Sequence, residues 1–334
     1  MSITILGIES SCDETAAAIC KDGKIINNII ATQSIHEQYG GVVPELASRA
    51  HQKNIIPVIH QAMSEASVSL VDIDAIAYTR GPGLLGALLI GSSFAKSTAM
   101  ALDKPLIAVN HMKAHILAHF IDTPAPKFPF LCLTVSGGHT QIVKVTSHLQ
   151  MEVIGQTIDD AVGEAFDKCA KIMGIGYPGG PKLDKLAQAG DPNRYTFSKS
   201  KVQDFNYSFS GVKTSFLYFL RDQTKLNPNF VQDNQCDLAA SLQKCLIDML
   251  MSPLVKTAKQ HKINQIAIAG GVSANSGLRQ TLQELGKNYN WEVYIPQFEY
   301  CTDNAAMIAV TGYYQFLAND FGSLNDSPLP RMSF

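Results

Sequence analysis

The sequence predicts an α/β protein built from two related lobes. Three observations lead there. The chain has 334 residues, more than one hydrophobic core usually organises. Short apolar, β-rich runs alternate with long helical patterns, which means α/β with ligands at strand-end turns. The strand–polar turn–strand pattern that opens the chain recurs near residue 130. A repeated opening suggests two lobes of common design facing each other across a cleft.

Taken in order, Ile3–Ile8 is an apolar run that stops at the polar turn Glu9–Thr15, and Ala16–Cys20 is the returning strand. Ile25–Thr32 reads as a third strand. Pro44 opens a helical stretch through Ala66, in which Pro57 predicts a kink. Asp74–Tyr78 is a short strand. The turn Gly81-Pro82-Gly83 then leads to a helix over Leu84–Leu102, apolar nearly all round and therefore expected to be buried. Leu106–Val109 is a strand running into a helix at His111. In the second half, Phe130–Val135 and Thr140–Val145 flank the tight turn Ser136-Gly137-Gly138. Helical patterns dominate Ala161 to Gln260. A buried strand, Gln265–Ala269, runs through Gly270-Gly271 into a helix from Ala274. Glu292–Ile295 precedes a last helix near Asp303, and the stretch after Asn319 carries no pattern.

Composition narrows the function classes. A hydrophobic content of 46% and a charged content of 17% are those of a soluble globular protein. The first residues lack a basic region and meet Glu9 too early for a signal peptide. The uncharged stretch Gly81 to Ala95 is shorter than the roughly 18 residues of a membrane span. The expectation is a cytoplasmic protein without a membrane partner. Seven cysteines without a Cys-x-x-Cys pair read as reduced thiols. The formal net charge of -2 leaves nucleic-acid binding to a local patch or a partner. One patch stands out: Lys182, Lys185, Arg194, Lys199, Lys201, Lys213, Arg221 and Lys225 against Asp184, Asp191, Asp204 and Asp222. It reads equally as a solvated basic face.

His111 and His115 stand at i and i+4, on one helical face, the geometry that gives one metal two nitrogen ligands. His119 is one turn too far and reads as a surface residue. A carboxylate from elsewhere must complete such a site, and Asp303 is the candidate, against the plainer reading of a helix N-cap. Two histidines and one carboxylate with open positions suit Fe(II) or Zn. Ser136-Gly137-Gly138 is either a hairpin turn or a nest of N–H groups for an anion. Gly270-Gly271, between a buried strand and a helix start, is the approach α/β proteins use for nucleotides, or a tight connection without ligand. Asp167 and Asp184 flank the turn Tyr177–Gly180 and can accept hydroxyl hydrogen bonds or remain solvated. Asp13 and Glu14 can orient a nucleophile or bond nearby amides.

These motifs in this order resemble the TsaD family, once labelled O-sialoglycoprotein endopeptidase. The resemblance rests on Gly7–Thr15, Gly40–Arg49, Asn110–His115, Val135–Thr140, Asp159–Asp167, Tyr177–Gly180, Phe209–Thr214, Ala269–Asn275 and Cys301–Asn304. It implies an actin/Hsp70-like (ASKHA) fold, with residues 1–115 and the helix 304–320 in one lobe, 116–303 with helical insertions in the other, and 321–334 as a tail. It implies a metal, usually Fe(II), on His111, His115 and Asp303. Thr134, Val135, Ser136, Gly137, Gly138, Asp167, Gly180, Asp184 and Asn275 would hold an adenylate-bearing substrate. The implied reaction moves the threonylcarbamoyl group of threonylcarbamoyl-AMP to N6 of the adenosine beside the anticodon, in tRNAs reading codons that begin with adenine. The implied partners are tRNA, the paralogue TsaB and the ATPase TsaE. Asp13 or Glu14 is the expected acceptor of the amine proton.

Two rivals remain open at this level. A helical zinc peptidase needs His-Glu-x-x-His, and Met112 stands where its glutamate would be. A nucleotide-binding chaperone or sugar-kinase-like module would use the glycine turns but does not require His111, His115 and Asp303.

Overall fold

The computed structural model describes residues 2–199 and 202–334, so Lys201 of the basic segment lies outside the described residues. The chain forms two compact units. The first comprises Met1–Ala125, Ser147–Met151 and Pro296–Phe334, and the second Pro126–Thr146 and Glu152–Ile295.

The first unit holds β1 (Thr4–Glu9), β2 (Glu14–Lys21), β3 (Lys24–Thr32), α1 (Pro44–Glu65), β4 (Ala75–Gly81), α2 (Leu85–Leu102), β5 (Leu106–Asn110) and α3 (His111–Leu117). The second holds β6 (Phe130–Val135), β7 (Thr140–Val145), β8 (Met151–Gln156), α4 (Val162–Ile172), α5 (Gly179–Ala187), α6 (Ser210–Leu226), α7 (Phe230–Asp233), α8 (Gln235–His261), β9 (Gln265–Ala269), α9 (Ser276–Tyr289) and β10 (Glu292–Tyr294). The chain returns to the first unit with α10 (Ala305–Leu317).

The internal repeat is real. One sheet runs β3-β2-β1-β4-β5 and the other β8-β7-β6-β9-β10, the same order with each strand in the same place. In each, the first hairpin is antiparallel and the next strand joins in parallel. β1 and β6 are buried at every position, as central strands covered on both faces require.

Small residues let α10 lie close on its sheet. A side chain at Gly7 would meet Ala309 at 2.7 Å, and one at Gly312 would meet Ala77 at 2.5 Å. Ala305–Ala309 are fully buried there with Ala16, Ala18 and Ala114. In the second unit, α8 supplies Leu238, Leu242, Leu246 and Leu250 to a core completed by α4, α6 and β6.

Some expectations needed correction. α2 is not buried all round: Ala87, Leu88, Gly91, Ala95 and Ala99 face the core, while Leu85, Leu89 and Met100 stand open. β8 was not foreseen, because its residues are half-exposed and carry no apolar run. α2 and α8 are both long and apolar enough to cross a membrane by length and composition. All seven cysteines are free.

Candidate metal centre and glycine turns

β5 ends at Asn110, whose side chain accepts hydrogen bonds from the amides of Met112 and Lys113 at 3.0 and 3.2 Å. That cap starts α3 at His111 and puts His111 and His115 on the same face, their rings edge to face 4.7 Å apart. The segment before α10 brings Asp303 to them. Its Oδ1 lies 3.3 Å from Nε2 of His111 and 3.3 Å from Nε2 of His115. Among the described residues, these three form a group able to hold a metal ion, with all ligand atoms within 4.8 Å of one another. Two ligands about 2.1 Å from one ion at a tetrahedral angle lie roughly 3.4 Å apart, so the spacing fits. The plainer reading of Asp303 as a cap fails, because Asn304 caps α10 by accepting from the Met307 amide.

A layer behind the three groups holds them, and it was missed in the sequence. Glu9, at the end of β1, is completely buried. It accepts from Thr79 Oγ1 at 2.6 Å and from the Ser11 amide, and stands 3.1 Å from His111 Nδ1. A buried carboxylate there fixes a proton on Nδ1 and leaves Nε2, on the Asp303 side, as the atom that would ligate a metal. Ser11 Oγ reaches both His111 Nδ1 and Asp303 Oδ2, at 3.3 and 3.4 Å. Glu9 belongs to the Gly7–Thr15 motif, but only the fold shows that it faces His111 rather than solvent.

The electrostatics follow from burial and charge. Burial opposes protonation of His111, but Asp303 and Glu9 outweigh it and raise its pKa well above the ordinary imidazole value. Burial, with His111 beside it, lowers that of His115. Burial works against the Asp303 charge, yet His111 and the two imidazole hydrogen bonds hold its carboxyl far below the usual range. The metal-free cluster is therefore an ion pair of His111 and Asp303 beside a neutral His115. His119 falls outside it, in the short turn after α3, where it is buried rather than at the surface.

Asp13 and Glu14 lie in the turn between β1 and β2. Burial, then the charges of Asp303 and Asp13, push the Glu14 carboxyl up to about 9. The turn is anchored by His51 of α1, fully buried, which engages the Cys12 carbonyl at 3.0 Å and Thr15 Oγ1 at 2.8 Å. Burial pushes the Cys12 thiol far up, which makes it a poor nucleophile.

In the second unit the glycine turns gather at one end of the sheet. Gly270 takes a φ of +88°, and a side chain there would meet the Val135 carbonyl at 2.5 Å. Gly163, at the start of α4, comes equally close to the Ser136 carbonyl. Gly137 and Gly138 are exposed, with open space around them. Thr134 is buried, its hydroxyl turned to the Gln141 carbonyl. The polar candidates hold helix starts. Asp167 Oδ1 accepts from the Gly179 and Gly180 amides, both at 3.0 Å. Asp184 accepts from the Ser276 amide and hydroxyl at 3.0 and 2.7 Å. Asn275 caps α9 through Leu278 and donates to Gln243.

The basic segment is more neutral than its count. Arg194 pairs with Asp237 at 3.3 Å and Lys199 with Asp248 at 2.9 Å, both acids on α8 and outside the segment. Arg221 and Lys225 share Asp222.

Known proteins place this geometry in a family. The TsaD family model, described as tRNA N6-adenosine threonylcarbamoyltransferase, matches residues 24–310. A protein of that name from Phocaeicola vulgatus is 57% identical over 338 residues, covering 100% of both chains. Another from Christiangramia forsetii is 59% identical, covering 99% of this chain and 98% of its own. Among solved structures, HypF of T. kodakarensis superposes with a TM-score of 0.65 at 13% identity, over 98% of this chain and 50% of that one. Component A of the Acidaminococcus fermentans (R)-2-hydroxyglutaryl-CoA dehydratase superposes with a TM-score of 0.53 at 15% identity, over 94% and 98%. At such identities these two speak for the fold alone, which is the ASKHA fold. The peptidase reading gains nothing from the relatives, and Met112 is buried where a peptidase needs its glutamate. The chain belongs to the TsaD family, and it is a tRNA N6-adenosine threonylcarbamoyltransferase.

Proposed function

We propose that the donor is threonylcarbamoyl-AMP and that His111, His115 and Asp303 form the enzyme's metal centre, with Fe(II) the first candidate and Zn the second. The observation that carries this reading is the convergence of both imidazole Nε2 atoms on Asp303 Oδ1, with Glu9 fixing His111 from behind. When bound, the ion supplies Lewis acidity toward an oxygen of the donor. The acceptor is the adenosine beside the anticodon in tRNAs reading codons that begin with adenine. Its N6 attacks the carbamoyl carbon, the bond from that carbon to the phosphate oxygen breaks, and AMP leaves with the bonding pair. No covalent enzyme intermediate is needed, because AMP is a good leaving group.

The protein's own task is to bind and orient. The Gly137 and Gly138 amides, in open space beside Ser136, are suited to phosphate charge. Thr134 and Val135 at the end of β6, Gly180, and Asp167, Asp184 and Asn275 through the helix starts they hold, complete the adenylate site in this reading. The amine proton passes to the Asp13–Glu14 pair. Asp13 is the acceptor, because a Glu14 carboxyl raised to about 9 already holds a proton near neutrality.

The paralogue TsaB is the proposed heterodimer partner, through the open face of α2 with Leu85, Leu89 and Met100. TsaE is the proposed third component, and the cytoplasm the proposed compartment. The test is reconstitution with labelled threonine, bicarbonate, ATP, tRNA and the enzyme that makes the adenylate. Label should reach tRNA only with this protein, and should vanish with His111→Ala/His115→Ala while the fold persists. Full transfer by that double variant would reject the metal centre.

A further inference from the structure

The segment after α10 carries no sequence pattern and lies beyond the residues matched by the family model, yet it is bound along the first unit by its backbone. The Gly322 amide donates to the Leu106 carbonyl at 2.7 Å, and the Leu329 amide to the Arg80 carbonyl at 2.8 Å. The Gly83 amide donates to the Pro330 carbonyl at 3.2 Å. Arg80 grips the Ser327 carbonyl and pairs with Asp326, whose carbonyl accepts from Lys96 Nζ. The approach is so close that a side chain at Gly81 would stand 2.0 Å from the Leu329 carbonyl oxygen. Gly81 is the register partner of Asn110, so the segment passes over the point where β5 becomes α3.

There it engages the helix itself. Asn110 uses Oδ1 to cap α3 and Nδ2 to donate to the Ser333 carbonyl at 2.9 Å. Lys113 Nζ sits 5.8 Å from the centroid of the Phe334 ring, within the reach of a cation–π interaction. The same side of α3 is not backed by solid core. A cavity of about 260 Å³ lies between Asn110, Lys113 and Leu117 of the helix and Phe321, Asp326 and Met332 of the segment. α3 is short, seven residues, and a helix of that length has little stability of its own. Its first turn is therefore set by what holds Asn110.

We propose that residues 320–334 act as a strap that positions the first turn of α3, and through it His111, for metal binding. The proposal rests on the metal-centre reading above. Asn110 and the strap are positioning elements. The strap holds the Asn110 amide in the orientation that caps the helix, and the cap fixes the backbone from which the His111 ring projects toward Asp303. A loosened cap lets that ring leave the line between Glu9 and Asp303.

The test uses the full-length protein, a variant lacking Met332–Phe334, the variant Asn110→Ser, and the two combined. Serine still caps a helix but has no second donor for the Ser333 carbonyl. Two readouts are taken: hydrogen exchange at the Met112 and Lys113 amides without metal, and the dissociation constants of Co(II) and Zn(II) by chelator competition. Loss of one hydrogen bond should speed exchange by roughly fivefold. Loss of a partner behind the ligands should weaken metal binding by roughly tenfold. The double variant should be no worse than the worse single variant, because both changes break the same hydrogen bond. Exchange and metal affinity within about twofold of the parent in Asn110→Ser, which keeps the strap's other interactions, would overturn the proposal. Parent protein that binds neither ion would reject the metal centre instead, and the exchange measurement would still decide whether the strap sets the turn.

Discussion

Replacing Glu9 by Gln changes one heavy atom and should disable the proposed metal centre. Glu9 is buried, and its two oxygens face donors only: the Ser11 amide, the Thr79 hydroxyl at 2.6 Å and His111 Nδ1 at 3.1 Å. Glutamine can keep one oxygen on the Ser11 amide, but its NH2 group then takes the position facing Thr79 and His111. Thr79 can turn and accept. A protonated His111 Nδ1 cannot, so the ring must give up its Nδ1 proton and keep its proton on Nε2, the atom that faces Asp303. A protonated Nε2 has no lone pair for a metal. Changes behind a metal ligand cost about 10- to 100-fold in affinity, or roughly 1.4 to 2.7 kcal/mol. The buried, single-geometry arrangement places Glu9→Gln toward the upper end. Chelator competition measures the affinity, and transfer of labelled threonine to tRNA should fall with it at limiting metal. Glu9→Asp keeps the charge and should lose less. A Glu9→Gln protein that binds metal within twofold of the parent would refute the tautomer argument.

Metal binding should release protons. The raised His111 pKa means that this ring is charged at pH 7, and a ligand must be neutral to bind. Affinity should rise as pH increases, up to the His111 pKa, and calorimetry in two buffers of different ionisation enthalpy should report about one proton released; a buffer-independent heat would contradict this. The same shift has a stability sign. The His111 contribution is fully present below the unfolded value near 6.5 and is lost as pH rises through the folded one, so the metal-free protein should melt at lower temperature on the alkaline side, with metal restoring it. Gly270→Ala should cost more than about 1 kcal/mol, because the residue is left-handed and its side chain would strike Val135; an unchanged urea midpoint would disprove the clash. For tRNA, Arg194, Lys199, Arg221 and Lys225 are already paired with acids, so the other lysines of the basic segment are the better choice. Lys182→Ala/Lys185→Ala/Lys213→Ala should flatten the salt dependence by about 0.7 to 0.9 for each phosphate no longer neutralised, and an unchanged slope would remove the segment from the tRNA surface.

Much of this protein was legible in its residues because the relevant signals are local. The recurring strand–turn–strand opening announced the repeated sheet order, and alternation of apolar runs with helical patterns announced α/β. The i, i+4 spacing of His111 and His115 is a property of one helix, readable from seven residues. The choice of Asp303 over its role as a cap was not local. It depended on Asn304 taking the cap and on the return of the chain through α10, some 190 positions after His111, in an arrangement that no period in the sequence encodes. Glu9 looked like one acid among several in a polar turn, and only the pairing of β1 with β4 sets it between Thr79 and His111. The strap left no trace at all. Its residues are largely exposed and most of its bonds to the rest of the unit are made by its backbone carbonyls and amides, which every residue carries alike. Side-chain identity specifies helices, strands and donor sets, whereas a bond made by the main chain exists only once the rest of the fold offers it a surface.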